Sequence, residues 1–216
     1  MIINNKEIKG VIFDLDGTLL DSLDVWTRVD EVFFNKRGLT LTKDYQDAIG
    51  HNGLDNAAEY TIKRYNLKES KESIIKEWKD GVLKAYKEEV FLKPNAKEFL
   101  LKLKNENIPF CVATANDEDC YKSALINNGV YELFDFILDV NQFKKGKDNP
   151  DIYLEAARRL NINIEDCAVV EDIIMAVRTA NKVGFFTIGV YDKSSSETKE
   201  LKEECDKFIM DFKELL

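Results

Sequence analysis

The chain has 216 residues, 44% hydrophobic and 33% charged, enough for one substantial core with a smaller appended unit. Its formal net charge of -9 argues against a nucleic-acid groove or an anionic membrane as partner, because both need clustered positive charge. A phosphorylated small molecule is not excluded, since a local metal and a lysine override the global sign.

In chain order, Met1 to Gly10 is short and polar. No apolar run approaches the roughly 18 residues that span a bilayer, so a cytoplasmic protein with no membrane partner is expected. Val11-Ile12-Phe13 reads as a strand buried on both faces. It runs into Asp14-Leu15-Asp16-Gly17-Thr18, two carboxylates at i and i+2 followed by a residue that lets the backbone turn sharply away. Acids so placed repel and raise each other's pKa unless a cation sits with them, and hard oxygen ligands favour magnesium.

From about Ser22 to Val90 the pattern is helical with no convincing strand. Asp24 to Lys36 stops at Gly38, and Leu54 to Tyr65 stops at Asn66. Ile74, Ile75, Trp78, Val82, Leu83 and Tyr86 form one apolar stripe on a long helix. Trp26, Trp78 and Tyr86 read as bundle core on pattern alone. His51, the only histidine, lies in the Gly-bounded turn Gly50-His51-Asn52-Gly53.

Beyond the insertion, strands at Phe110 to Ala113, Phe136 to Leu138, Ala168 to Val170, Phe185 to Ile188 and Phe208-Ile209 alternate with helices. These are a segment after Pro94 carrying Phe99, Leu100 and Leu103, then Ile152 to Leu160, then Ile173 to Val183 ending at Gly184. Continuous apolar strands separated by helices predict a doubly wound parallel α/β sheet, a Rossmann-like core with an inserted all-helical cap domain. Cys111, Cys120, Cys167 and Cys205 lack CxxC spacing and read as free thiols.

Three further strand ends carry chemistry. One ends in Thr114-Ala115-Asn116, one in Glu171-Asp172, and between them Lys147 precedes Asn149-Pro150-Asp151. Parallel alignment gathers a hydroxyl, a lysine and both acid pairs at one sheet edge, where open α/β sheets place their sites. That set suits phosphoryl transfer. The duller readings are an Asp-Gly turn, a helix N-cap at Thr114, a surface lysine at Lys147 and a dipole-favouring acid pair at Glu171-Asp172.

With DLDGTLLDS, VATAN, GKDNPDIY and VVEDIIMAV in order, the chain resembles the haloacid dehalogenase superfamily, in its phosphatase and beta-phosphoglucomutase-like branch with a helical cap. The resemblance implies a core domain of residues 1–21 and 91–216 and a cap of residues 22–90, with hinge linkers whose closure excludes water. It implies Asp14 as the nucleophile forming an aspartyl-phosphate and Asp16 as general acid and base, its carbonyl also binding metal. Asp172 is then a direct ligand of Mg2+, and Glu171 acts through a metal-bound water. Thr114 and the amides of Ala115 and Asn116 hold the phosphate, Lys147 neutralises it, and His51 lies in the loop that reaches the leaving group.

The chain departs from the pattern at Ile173, where the family has a small polar residue, and at Ala176, Asn95, Asp148 and Asn149. Asn116-Asp117 and Trp26 stand where phosphomutase relatives present a lysine and a histidine. The expected activity is therefore hydrolysis of a small phosphorylated metabolite, of the sugar phosphate or phosphoglycolate type. A sugar phosphomutase and a catalytically weak metabolite-binding or regulatory protein are the alternatives. The substrate and the oligomeric state are not readable, with a monomer favoured.

Overall fold

The computed structural model describes residues 1–49, 53–143 and 145–216, Asp47 by its backbone alone. The chain divides into two compact units, Met1–Leu23 with Val90–Leu216, and Asp24–Glu89. The first opens with a hairpin of β1 (Ile2–Ile3) and β2 (Lys6–Glu7). Asn4 and Asn5 turn it with φ of 49° and 63°, the left-handed pair that two-residue hairpins need. β3 (Gly10–Phe13) follows and is buried throughout.

The second unit is helical: α1 (Val25–Lys36), α2 (Lys43–Ile49), α3 (Leu54–Tyr65) and α4 (Lys71–Glu88). Its core is aromatic, with Phe33 against Trp78 at 5.4 Å and Phe34 against Tyr45 at 4.7 Å between ring centroids. The Tyr45 hydroxyl pairs with Thr61 Oγ1 at 2.7 Å, so this buried polar pair is satisfied. On α4 the buried stripe is Ile74, Trp78, Val82, Ala85 and Tyr86. The expected Leu83 is exposed instead, because buried positions spaced by three and four turn it off that face.

The chain returns through α5 (Ala96–Asn105), β4 (Phe110–Thr114), α6 (Glu118–Asn127), β5 (Ile137–Asp139), α7 (Asp151–Leu160), β6 (Cys167–Glu171), α8 (Ile174–Val183), β7 (Phe186–Val190), α9 (Thr198–Glu204) and β8 (Lys207–Ile209). Asn128 pins the return. Its Nδ2 donates to the carbonyls of Val90 at 3.0 Å and Ala124 at 2.8 Å, and its Oδ1 accepts from the Leu92 amide at 3.1 Å.

The strands form one sheet in the order β5-β4-β3-β6-β7-β8, parallel at every pairing. Both faces are covered. Ile12, Cys111, Ala113 and Val169 pack with α7 residues and Ala180 of α8, while Phe13 meets Phe99 of α5 at 6.1 Å. β3 has β4 on one side and β6 on the other, so the crossovers diverge there and open a crevice beyond its carboxyl end. All four cysteines are free, as expected. No helix among the described residues is long and apolar enough to cross a membrane.

Candidate active site

Asp14 follows the last residue of β3, and its amide still donates to Val170 O at 3.0 Å, extending the ladder with β6. The register sets the neighbours: β3 against β6 pairs Phe13 with Val170, one residue before Glu171. Asp14, Glu171 and Asp172 are all buried, and each offers an oxygen within 4.8 Å of the others. Lys147, buried in the loop before α7, donates to Asp14 Oδ1 and, at 2.7 Å, to Glu171 Oε1. The surface-lysine reading of Lys147 is therefore excluded, and Lys145 is the exposed one.

Burial raises the Glu171 pKa against the pull of Lys147, with Asp14 adding to the rise. Asp172 is likewise raised by burial and then by Asp14 and Glu171. Burial works against the Lys147 ammonium, but Asp14 and Glu171 outweigh it and hold its pKa above that of an ordinary lysine. Lys147 thus meets two of the three crowded carboxylates, Lys93 acts on Asp172 only as the last of its influences, and the excess charge remains on the acid side.

The carboxylate of Asp16 takes a different path. Its Oδ1 accepts from Ser22 Oγ at 2.6 Å and its Oδ2 from Asn116 Nδ2 at 2.9 Å. The crowding expected between Asp14 and Asp16 falls instead among Asp14, Glu171 and Asp172, since the sharp turn at Gly17, with φ of +80°, carries the chain away from the strand. Thr114 is buried at the end of β4, and its Oγ1 accepts from the Asn116 amide at 3.1 Å. It is not a helix N-cap, because Asp117 holds that position on α6. The Asn116 amide is occupied in this turn, while its side chain reaches Asp16.

Two hydroxyls were not given roles on sequence. Thr18 Oγ1 donates to Asp172 Oδ1 at 2.9 Å, and the Tyr153 hydroxyl of α7 donates to Glu171 Oε1 at 2.8 Å. Both sit inside quoted motifs, Thr18 two residues after Asp16 and Tyr153 six after Lys147, so their proximity to the acids was the available signal. His51 lies outside the described residues.

The donor set has the chemistry of a cation site. Among the described residues Glu171 Oε2 is buried with no hydrogen-bond partner, an arrangement that costs free energy unless something positive meets it. Three buried carboxylates with converging oxygens suit a hard divalent cation. The residues present fit one.

Residues 11–190 match the pattern of the haloacid dehalogenase-like hydrolases. The chain belongs to that family. Among curated members, a Drosophila melanogaster protein described as a probable pseudouridine-5'-phosphatase is 26% identical over 90% of this chain and 86% of its own. The beta-phosphoglucomutase of Bacillus subtilis is 27% identical over 85% and 83%. A haloacid dehalogenase family hydrolase of Deinococcus radiodurans R1, solved with bound phosphate and sodium, superposes with a TM-score of 0.77. It is 22% identical, covering 96% of this chain and 93% of that one, and carries the likeness of fold. The parallel six-stranded sheet with a helical insertion is thus the haloacid dehalogenase core with its cap.

Proposed function

We propose that this chain is a magnesium-dependent phosphomonoester hydrolase acting on a small phosphorylated metabolite, with Asp14 as nucleophile. What carries the reading is the placement of Lys147, bonded at once to Asp14 and Glu171 while Asp172 closes the same cluster. A carboxylate fixed by an ammonium, beside acids that need a cation, is a receptor for one phosphoryl group.

In this mechanism an Asp14 oxygen attacks phosphorus and the bond from phosphorus to the ester oxygen breaks. Asp16 gives its proton to that departing oxygen. Asp16 then takes a proton from water, whose oxygen attacks the aspartyl-phosphate, releases inorganic phosphate and restores Asp14. Ser22 and Asn116 aim Asp16. Lys147 offsets charge on the phosphoryl oxygens, and Thr114 with the Ala115 amide supplies donors. Asp14, Asp172 and Glu171, with the Asp16 carbonyl, would hold magnesium, which supplies further charge neutralisation for the phosphoryl oxygens. Thr18 fixes Asp172, and Tyr153 fixes Glu171.

The mutase relative supports a second reading, isomerisation of a sugar phosphate on the same scaffold. Hydrolysis is preferred because Asn116 is neutral and engaged with Asp16 and Asp117 is acidic, so neither supplies a cation for a second phosphate. A phosphate-release screen over phosphomonoesters, with and without magnesium, tests both readings. Release that needs magnesium and falls by about 1000-fold or more in Asp14→Asn is expected. Sugar phosphate isomerised without free phosphate would establish the mutase, and release persisting in Asp14→Asn would remove the nucleophile.

A further inference from the structure

Beyond Asp14 the chain coils into a tight turn, in which the carbonyl of Leu15 accepts from the amides of Thr18, Leu19 and Leu20 at 3.2, 2.9 and 2.8 Å. Thr18 leaves that turn toward Asp172, donating to its Oδ1 at 2.9 Å. The residues that follow pair with the segment returning from the helical unit. The Lys93 amide donates to Leu19 O at 2.8 Å, and the Asp21 amide to Phe91 O at 3.0 Å. Lys93 then ties this pairing to the sheet. Its side chain is only 10% exposed, and its ammonium donates to Asp192 Oδ2 at 2.8 Å and to Tyr191 O at 2.7 Å, both on the loop after β7. Asp192 Oδ1 in turn accepts from the Ser194 amide at 2.7 Å. Burial works against the Asp192 carboxylate, but Lys93 and the Ser194 amide outweigh it and hold its pKa below the usual carboxylate range. β7 lies beside β6, with Gly189 opposite Glu171. The contacts therefore close a ring that runs from Asp172 through Thr18, Leu19, Lys93 and Asp192 and back along β7 to β6.

A buried ion pair is a weak source of stability, since apolar side chains of similar volume serve as well or better. What it imposes is geometry, because a buried charge displaced from its partner is costly. The exposed pair of Lys193 and Asp21, 3.4 Å apart, imposes little by comparison. We propose that Lys93 and Asp192 are positioning residues for the cation site: their buried pair fixes the turn that carries Thr18, and through Thr18 the direction of the Asp172 carboxylate. The inference rests on the magnesium part of the phosphatase reading and not on which ester is hydrolysed.

The test is a mutant cycle read by calorimetry. Magnesium is titrated into the full chain as wild type, as Thr18→Val, as Lys93→Met/Asp192→Asn and as the triple variant. Thr18→Val keeps the shape and removes the donor. In the double variant no charge is left unpaired, and the amide introduced by Asp192→Asn still accepts from Ser194. Thr18→Val and the double variant are each expected to raise the magnesium Kd about tenfold. The triple variant is expected to raise it about tenfold as well, rather than a hundredfold, because the pair works through the hydroxyl that is already gone. A merely structural role would add to the effect of Thr18→Val. Thermal midpoints without magnesium follow stability separately, and the double variant is expected within about 5 °C of the wild type.

Additive effects, or a wild-type Kd in the double variant, overturn the inference, as does a wild type that binds no magnesium. Magnesium bound with the expected coupling, but no phosphate released from any ester, leaves the positioning pair standing and removes the phosphatase reading. Magnesium-dependent phosphate release with additive effects does the reverse. If the double variant fails to fold, Asp192→Asn alone decides by the same rule: binding about threefold weaker that returns to no effect in the Thr18→Val background supports the pair, and an unchanged or additive effect overturns it.

Discussion

A methyl group added at Gly17 would lie 2.3 Å from Asp172 Oδ2, on a backbone whose φ is +80°. The sequence explains this glycine as a turn residue. The structure adds that Asp172 comes in against its Cα, so any side chain displaces an acid of the cluster. Gly17→Ala is expected to lower kcat/KM on the order of 100-fold and to destabilise the fold by about 1–2 kcal/mol. Steady-state phosphate release and urea unfolding measure the two effects separately. Asp14, Lys147, Glu171 and Asp172 were legible because strand ends in a parallel sheet share an edge. The hydroxyls of Thr18 and Tyr153 were not, since a hydrogen-bond partner follows from register and helix phase rather than from residue type.

Asp30 makes a second prediction at this scale. Its folded pKa, about 6, lies above the unfolded 3.8, so the native state binds the extra proton. Its contribution is most favourable below pH of about 4 and is lost as pH rises through about 6. Asp30→Asn and wild type are therefore expected to be equally stable near pH 4, with the variant ahead by on the order of 2 kcal/mol at pH 7.5. Urea midpoints across that range measure the difference, and a gap independent of pH would contradict it.

Among the elements, left-handed backbone is handled by asparagine. Asn4, Asn5, Asn66, Asn95, Asn107 and Asn161 all have positive φ, a conformation that asparagine tolerates better than other residues with a side chain. This accounts for Asn95, which replaces a glycine common in the family: with φ of 59° the position demands that conformation, and the side chain also donates to Asp211 Oδ1 at 2.7 Å. Asn66 was readable as a stop for α3 for the same reason. The hairpin of β1 and β2 was not, because two-residue strands leave no alternation to detect. The α6 stripe, Cys120, Tyr121, Ala124 and Leu125, is too short and too mixed to stand out.

Ile173 caps α8 in an extended conformation with no side-chain hydrogen bond and is 43% exposed. It leaves the carboxylates of Glu171 and Asp172 in the cluster, so the departure from the family pattern costs the helix start rather than the site. Ile173→Ser restores an acceptor for the first free amides and is expected to stabilise the protein by about 1 kcal/mol, read as a higher urea midpoint.

For the whole molecule, the sheet's order brings the ends of β3, β4 and β6 and the loop before α7 into one charged centre, and the cost of gathering like charges falls on folding. A cation that binds only the native arrangement repays it. Magnesium at about a hundredfold excess over its Kd is expected to raise the thermal midpoint by roughly 5 °C or more. Because Glu171 and Asp172 have raised pKa values, binding should also release protons, visible as a dependence of the calorimetric heat on buffer. Asp172→Asn should lose both responses. The order of the strands and the helical nature of the insertion were accessible from runs of apolar residues and their breaks. The burial of Asp30 was not, because nothing in a helical stripe reveals which polar residue on its flank will be enclosed.

Asn128 is followed by Gly129, a dipeptide in which an unhindered backbone nitrogen can attack the side-chain amide and convert it slowly to an acid. Here that amide is the knot joining Val90, Leu92 and Ala124. Its two donated hydrogens delay the attack, and their loss would leave two carbonyls facing a carboxylate. Ageing of a stored preparation, which the second such dipeptide, Asn52-Gly53, also invites, would at Asn128 loosen the seam where the chain comes home from its helical excursion.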